Sequence, residues 1–532
     1  MSTPVTIKDA FEPEGEPHVV ESKHFRQHMG SISRHSSVFL AGTIFTATAG
    51  YLFKVYLARV LGANALGVYT LGMTIVGFLG IFNALGLPKS AVRFVATYRG
   101  TGQFDLLRGF IGRSLLILLG CNLLLGAVVL VIGPWVAVRF YHTPLLTNYM
   151  GLFALIMILG VLNTFLSEVL VGYKAVAQRT VITSFISSPA TMIFTFAFIA
   201  MGFGLRGYIL AQVISASVVL ALLAVTAWKF TPRLARSFSA RFPPLEKNVI
   251  SFSTAVFGLG FLGFFTSTAD KVLIGFYLNV RAVGTYAVAS SLVAFVPVLL
   301  QSVNQIFSPT IADLYARKQS ELLGRLFQTL TRWIFGLTVP LAMVMMLFAP
   351  ALMRIFGRDF EAGWPILVIG TVGQLINCGV GSAGTLLLMS GNQRSLIKIQ
   401  TVMALLMVIL NVVLIPRWGI TGAAVSAALT IGISNFWYLR EVRNKMGLTP
   451  YNRSYVRLLA PVTGTAIVLT LIHRALVPNR PEWIVVAAAL LLGYVVFVGI
   501  SLALGLDSDD RVIARAVRSR FRGLLASTEV AS

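Results

Sequence analysis

Charged residues are scarce in this chain of 532 residues. Asp, Glu, Lys and Arg together make up 12% of the sequence, while 56% is hydrophobic, and the mean hydropathy is +0.82. A soluble globular protein carries about 25% charged residues. Because soluble core helices cannot absorb this shortfall over such a length, the composition excludes a soluble fold and indicates an integral membrane protein.

Cysteine is rare, and the common catalytic motifs are absent. Cys121 and Cys378 lie in separate apolar runs without a CxxC partner, which argues against a zinc site or a disulfide framework. The sequence has no P-loop for nucleotide phosphates, no HExxH and no GxSxG. We therefore expect no enzymatic activity, no ATP hydrolysis within the chain and no cofactor.

Long apolar runs fill most of the sequence. Each run of roughly 18 to 25 residues could cross a hydrocarbon layer about 30 Å thick. We therefore predict an all-α, polytopic membrane protein with about fourteen transmembrane helices. The predicted spans are 36–58, 66–87, 111–133, 148–170, 181–202, 206–227, 250–269, 283–306, 331–349, 364–389, 396–415, 418–439, 455–474 and 482–505.

Basic charge is distributed unevenly between the two sides of these spans. Of the 43 Lys and Arg residues, 32 lie on the side of the termini, 10 lie on the other side, and Lys54 lies inside the first span. Such a bias orients the more basic side to the cytoplasm. We therefore predict a multi-pass protein of the cytoplasmic (inner) membrane with both termini in the cytoplasm. The net charge of +24 then reflects topology, and no nucleic-acid partner is expected.

The sequence repeats itself at long range. The run 61–69 (LGANALGVY) returns 217 positions later as 278–286 (LNVRAVGTY). A repeat this long in an apolar chain predicts a duplicated helical bundle, as in secondary transporters that bind substrate between their halves. The boundaries that follow are a cytoplasmic, disordered N-terminus at 1–35, a six-helix lobe at 36–227, a linker at 228–249, a second six-helix lobe at 250–439, two further helices at 440–505 and a basic tail at 506–532.

Several of these residues also carry a family resemblance. The matching stretches are YLARVLGANALGVY at 56–69, GLP at 86–88 followed by Arg93, ADKVLIG at 269–275 leading to GTY at 284–286, and NVVLIP at 411–416 leading to GITGAA at 419–424. Over about 36–505 the chain resembles the oligosaccharide-lipid flippases, in the polysaccharide-transporter branch of the MOP superfamily that also contains the multidrug and toxin extrusion (MATE) exporters. The resemblance implies two six-helix lobes in a V that open alternately to each side, and two extra helices.

The resemblance also implies a substrate and partners. Flippases of this branch move polyprenyl-pyrophosphate-linked oligosaccharide outward for surface polysaccharide or glycan assembly. We therefore expect lipid-linked oligosaccharide and membrane lipids as ligands. A polysaccharide polymerase and glycosyltransferases are the expected protein partners. An H+ or Na+ gradient is the expected driving force.

Ionisable residues inside the spans are the first functional candidates, because each costs about 2.5–3.5 kcal/mol near the bilayer centre. Lys54 lies deep in the first span and could meet a lipid diphosphate as a compact charge. Alternatively, it snorkels to the nearby interface. Asp270 and Lys271 close the seventh span and are candidates for gating or ion coupling. Because helix neighbours do not face each other, Asp270 could pair with Lys54 or Arg59 as a gating latch between the lobes, or form an ordinary interfacial pair.

Further polar residues complete the candidate binding site. Arg59, Arg93 and Arg281 flank the first two spans of each lobe and could bind phosphate. The cytoplasmic charge bias already accounts for Arg93 but not for the other two. Asn377 and Asn411 could reach sugar hydroxyls in the second lobe, or hydrogen-bond between helices.

Other functions compete with the flippase interpretation. A cation-coupled MATE-type drug exporter needs carboxylates within a lobe, and the first six spans offer only Glu168. That residue could bind a coupling proton or sodium ion, or simply pair with Lys174 or Arg179. A peptidoglycan-precursor flippase is a close variant that residues alone do not separate. A scaffold that gathers glycosyltransferases without transport would instead show an interlobe space without polar lining.

Overall fold

Helix is the only regular structure among the described residues of the computed structural model, which cover 18–232, 244–476 and 482–504. The first repeat contains α1 (His18–Ala84), α2 (Leu87–Gly100), α3 (Phe104–Trp135), α4 (Met150–Gly172), α5 (Val176–Thr180), α6 (Ser187–Ala200) and α7 (Gly204–Phe230). Two π-helical segments, Val136–Phe140 and Val181–Ile186, and the 3-10 turn Pro144–Tyr149 join these helices.

The second repeat has a similar layout and is followed by two further helices. It contains α8 (Lys247–Tyr277), α9 (Val280–Val293), α10 (Val298–Ala316), α11 (Ser320–Leu347), α12 (Ala349–Arg354), α13 (Trp364–Val380), α14 (Ala383–Met389) and α15 (Gln393–Met446). The further helices are α16 (Leu459–Leu476) and α17 (Glu482–Ala503), and 3-10 turns lie at Arg358–Gly363 and Arg453–Leu458.

The predicted spans coincide with helices or closely spaced helix pairs. Within the described residues, 10 helices are long and apolar enough to cross a membrane, or 11 if the pair bent by 52° between Val280–Val293 and Val298–Gln305 is one span. Both α1 and α15 hold two predicted spans, because they break at Gly62 (φ 75°) and Gly419 (φ 59°). Glycine adopts such left-handed angles without a steric penalty. The all-α polytopic fold is confirmed, and the number fourteen stays a prediction.

The chain ends differ in part from expectation. The backbone is helical from His18, where α1 begins, so residues 18–35 are helical in place of the disorder expected over 1–35. Predictions for residues 1–17, for the centre of the linker at 233–243 and for the basic tail lie outside the described residues.

Most helices pack within their own repeat, and a few carry the contact between repeats. The main contacts across the boundary join α1 to α8, to α9 and to the turn Arg358–Gly363, and join α2 to the start of α8. The two further helices pack on the second repeat through α11. There the hydroxyl of Tyr494 donates to the carbonyl of Leu337 at 2.9 Å.

The buried core is shared at one end of the bundle and divided at the other. One large cluster combines Leu71 and Phe153 of the first repeat with Val283 and Phe360 of the second. This end holds the duplicated runs 61–69 and 278–286, and we call it the motif end. At the opposite end, which holds the linker 228–249 and which we call the linker end, each repeat has its own cluster. The repeats are therefore joined at the motif end, and at the linker end only the start of α8 joins the core of the first repeat.

Candidate functional site between the repeats

The two copies of the duplicated run pack on each other at the motif end. A Cβ atom added to Gly67 would overlap the carbonyl of Val280, and one added to Gly284 would overlap the carbonyl of Ala63. Gly67 and Gly284 are equivalent positions in the repeat, and so are Ala63 and Val280. The same contact is therefore made twice, as expected around a pseudo-twofold axis.

Two of the predicted phosphate-binding arginines lie beside this contact and already have partners. The Arg59 Nε donates to the carbonyl of Ile355 at 2.7 Å, which links the first repeat to the second. The Arg281 guanidinium pairs with Asp359 at 2.8 Å. Both arginines are exposed at the motif end. In this conformation Arg59 connects the two repeats at the surface of the motif end, and Arg281 forms an ion pair within the second repeat.

Lys54 and Lys271 occupy equivalent positions on α1 and α8, separated by the same 217 positions as the duplicated runs, and we call them the lysine pair. Helices α1 and α8 pack on each other across the boundary between the repeats. The positive charge of Lys271 acts on Lys54 electrostatically. Lys54 is exposed in the protein and Lys271 is half-buried. A binding role for Lys54 stays a prediction.

Asp270 does not form the expected latch with Lys54 or Arg59. Its carboxylate accepts a hydrogen bond from the Tyr286 hydroxyl at 2.7 Å and another from the backbone N–H of Lys271 at 2.8 Å. Both Asp270 and Tyr286 are buried. The carboxylate is therefore used within the second repeat, where it holds the helix segment that carries Lys271.

Two predicted residues lie at the linker end, away from the lysine pair. Glu168 is buried and accepts from Lys89 at 3.1 Å, with Arg179 at 4.0 Å. This ion pair connects α4 to α2, and it gives the buried carboxylate of Glu168 a positively charged partner from the protein itself. Arg93 is exposed on α2 and lies over the ring of Phe252, 5.0 Å from its centroid, so it joins α2 to α8.

The two asparagines of the second repeat have different surroundings. Asn377 is half-buried and donates to Gln374 at 3.0 Å. Asn411 is 0% exposed, which corrects the expectation that it reaches sugar hydroxyls in this conformation. It lies one turn from Ile415, at the level where Gly422 meets Leu414 in the hairpin of α15. Its side chain is therefore enclosed between packed helices.

An apolar cavity of about 430 Å³ lies against α8. Helix α8 borders it with Ala269, Val272 and Leu273 and carries Lys271 on the opposite face. The remaining wall comes from α1, α3, the π-helical segment Val136–Phe140 with Tyr141, and α15. Over the part of the chain that the structure describes, no group of three or more His, Cys, Asp or Glu residues could hold a metal ion.

Family comparison covers most of the chain. The profile of a family described as polysaccharide biosynthesis protein matches residues 32–315, more than half of the sequence. The MatE profile matches residues 257–417.

Three archaeal proteins are similar in sequence. An uncharacterized membrane protein of Methanocaldococcus jannaschii is 22% identical over 430 residues, which cover 76% of this chain and 82% of that protein. Two Haloferax volcanii proteins match over shorter stretches. One, described as a probable low-salt glycan biosynthesis flippase, is 27% identical over 32% of this chain and 37% of its own length. The other, the probable flippase AglR, is 24% identical over 35% of this chain and 39% of its own length.

Solved structures share the fold. The lipid II flippase MurJ in an inward closed conformation superposes with a TM-score of 0.72 at 14% identity, covering 88% of this chain and 98% of that chain. An inward-facing multidrug resistance MATE family transporter of the MOP superfamily superposes with a TM-score of 0.62 at 15% identity, covering 77% of this chain and 98% of that chain. Likeness at these identities concerns the fold alone.

Proposed function

The chain belongs to the polysaccharide biosynthesis protein family of the MOP superfamily, and from that premise we propose that it flips polyprenyl-diphosphate-linked oligosaccharide across the cytoplasmic membrane by alternating access. The family and the named relatives are flippases and transporters rather than enzymes. The chain is accordingly a multi-pass membrane transport protein. The finer proposal concerns its substrate, its direction and the residues that bind the cargo.

The observation that carries the proposal is the lysine pair between the repeats. Lys54 and Lys271 occupy equivalent positions in the two repeats, and the positive charge of Lys271 acts unfavourably on the charged form of Lys54. A diphosphate carries at least two negative charges, so it relieves this repulsion and can accept hydrogen bonds from both ammonium groups. A cationic drug would add a third positive charge. The pair therefore favours an anionic headgroup over the substrate of a MATE-type exporter.

The arrangement around the pair is suited to an amphipathic cargo. Helix α8 presents Lys271 on one face and borders the apolar cavity on the other. A lipid-linked sugar needs both a charged contact for its headgroup and apolar surroundings for its carrier chain. We propose that Asn377 adds a contact to the sugar, because it remains half-buried and accessible.

The conformation fits loading from the linker end. The repeats meet at the motif end and have separate cores at the linker end. With the linker end in the cytoplasm, as the charge bias predicts, the substrate enters from the side where it is synthesised. We propose a polysaccharide polymerase and glycosyltransferases as neighbours that consume or supply the cargo.

Flipping of a fluorescent polyprenyl-diphosphate oligosaccharide in proteoliposomes tests this proposal. We expect transport by the wild type and a loss of at least about tenfold in initial rate for Lys54→Ala and for Lys271→Ala, because a hydrogen bond to a charged group contributes about 1.5–3 kcal/mol. Lys398→Ala, at an exposed lysine on α15, is the matched control and should transport at the wild-type rate.

The same vesicles separate the alternatives. Wild-type rates in both lysine variants would remove the pair from the binding site. Transport of a peptidoglycan lipid precursor in place of the oligosaccharide lipid would favour the precursor flippase. Export of a cationic dye alone would favour the MATE-type interpretation, and no transport of any cargo by a folded wild type would favour a scaffold.

A further inference from the structure

The contact between the two copies of the duplicated run has the properties of a gate. It brings the backbone of one helix onto the backbone of another with no side chain between them, because Gly67 and Gly284 have none to interpose. Its surroundings are apolar and buried, with Ala63 1% and Val283 0% exposed. Because Ala63 and Val280 begin helical segments, the carbonyls that make the contact accept hydrogen bonds within those segments. The surfaces can therefore separate without leaving buried polar groups unpaired.

We propose that Gly67 and Gly284 form a shared gate whose backbone-to-backbone contact closes the motif end and must part for that end to open. The inference rests on the proposed alternating access, but it concerns conformation rather than cargo. Gly67 lies against Val280, and Gly284 lies against both Ala63 and Gly67. One contact thus includes both glycines, and a Cβ on either of them prevents the close approach.

The other contacts that hold the motif end closed are made by side chains, including the shared core cluster and the ring of Phe140, 4.6 Å from that of Phe276. On the first-repeat side, Arg59 donates to the Ile355 carbonyl, and the ring of Tyr51 lies edge-on to Phe295 and Phe356 at 5.2 and 5.8 Å between centroids. Both are contacts of side chains that can reorient. The glycine contact is different, because its closeness is fixed by backbone atoms. It therefore decides whether the closed state can form.

Alanine substitutions at the two glycines test the gate. Helix propensity alone would make Gly67→Ala and Gly284→Ala slightly stabilising, whereas a Cβ forced against a carbonyl disfavours only the closed state. We expect each variant to reduce the motif-end-closed population at least about tenfold, the order of effect of overpacking a tight contact. Gly80→Ala is the matched control, because nothing lies within 4 Å of a Cβ added there.

Distances between spin labels report the populations directly. Labels at Arg206→Cys and Arg417→Cys, exposed residues of the two repeats at the motif end, are placed in a chain with Cys121→Ala and Cys378→Ala. We expect the distance between the labels to be longer in Gly67→Ala and Gly284→Ala than in the wild type, and unchanged in Gly80→Ala. The wild-type distance in both gate variants would overturn the proposal.

A second measurement covers variants that fail to insert. Arg59→Ala, in a labelled chain that keeps both glycines, removes a side-chain contact across the motif end but leaves the backbone contact in place, so the distance should stay at its wild-type value. A longer distance in this variant would overturn the gate. A gate that responds as expected in a protein that flips no lipid would leave the gate standing and refute the proposed function.

Discussion

At the scale of single residues, the pseudo-equivalent tyrosines Tyr69 and Tyr286 offer a paired measurement. The Tyr286 hydroxyl donates to the buried carboxylate of Asp270 at 2.7 Å, whereas the Tyr69 hydroxyl donates to the neutral amide of Gln212 at 3.1 Å. Hydrogen bonds to charged groups contribute about 1.5–3 kcal/mol and neutral ones about 0.5–1.5 kcal/mol.

We therefore expect Tyr286→Phe to lower the free energy of unfolding more than Tyr69→Phe does. The measurement is unfolding of the purified protein in detergent, followed by circular dichroism through a denaturing-detergent titration. Equal losses for the two variants would mean that the Asp270 contact contributes no more than an ordinary hydrogen bond.

The residues of the site were only partly predictable from sequence. Lys54 stands out because a charge in an apolar run is costly, and its role in binding stays a prediction. The spacing of 217 positions also identifies Lys271 as its equivalent in the second repeat. Asn411 shows the limit of such reasoning. A polar residue in an apolar span can face a cavity or a neighbouring helix, and only tertiary packing decides which.

At the scale of elements, the junction of α2 and α8 joins the start of the second repeat to the first repeat. A Cβ at Gly86 would overlap the carbonyl of Ser253, and the hydroxyls of Ser90 and Ser253 are hydrogen-bonded at 2.7 Å. The Tyr98 hydroxyl donates to Glu246 at 2.7 Å just before α8 begins. The start of the second repeat is thus held against the first.

Gly86→Ala should weaken this junction more than Gly102→Ala weakens the protein elsewhere. Both glycines have left-handed backbones, with φ of 71° and 72°, so alanine meets the same backbone strain of about 1–2 kcal/mol at either position. Only Gly86 also meets a neighbouring helix, since nothing lies within 4 Å at Gly102. Midpoints of thermal unfolding in detergent measure the difference. Identical midpoints would show that α8 shifts away from the added Cβ at no cost in stability.

Helices were more predictable than their breaks. Over the described residues the predicted spans are mostly helical, because a run of apolar residues in lipid has to satisfy its own backbone hydrogen bonds. The breaks at Gly62 and Gly419 depend instead on which neighbours the chain meets, and glycine is also common inside straight membrane helices. The bend between α9 and α10 differs, because it coincides with Pro297, which lacks the backbone N–H that a continuous helix needs.

At the scale of the whole molecule, the boundary between repeats is held by α1 against α8 and α9 rather than by the linker alone. A protease site inserted at position 238 should therefore allow cleavage of the linker while the two fragments stay together. Co-purification through a tag on one fragment, in mild detergent, measures this. Separation of the fragments after cleavage would show that the covalent connection is needed to keep the repeats paired.

The reciprocal glycine contact also bears on ancestry. Two identical six-span chains that meet about a true twofold axis make each such contact twice, because residue i of one meets residue j of the other and the reverse. After such a pair is fused into one gene, each copy of the duplicated run contributes one glycine and one carbonyl to the same contact. A substitution in either copy then changes the packing of both copies at once. Substitutions at these positions in one half of the gene are therefore constrained by the other half.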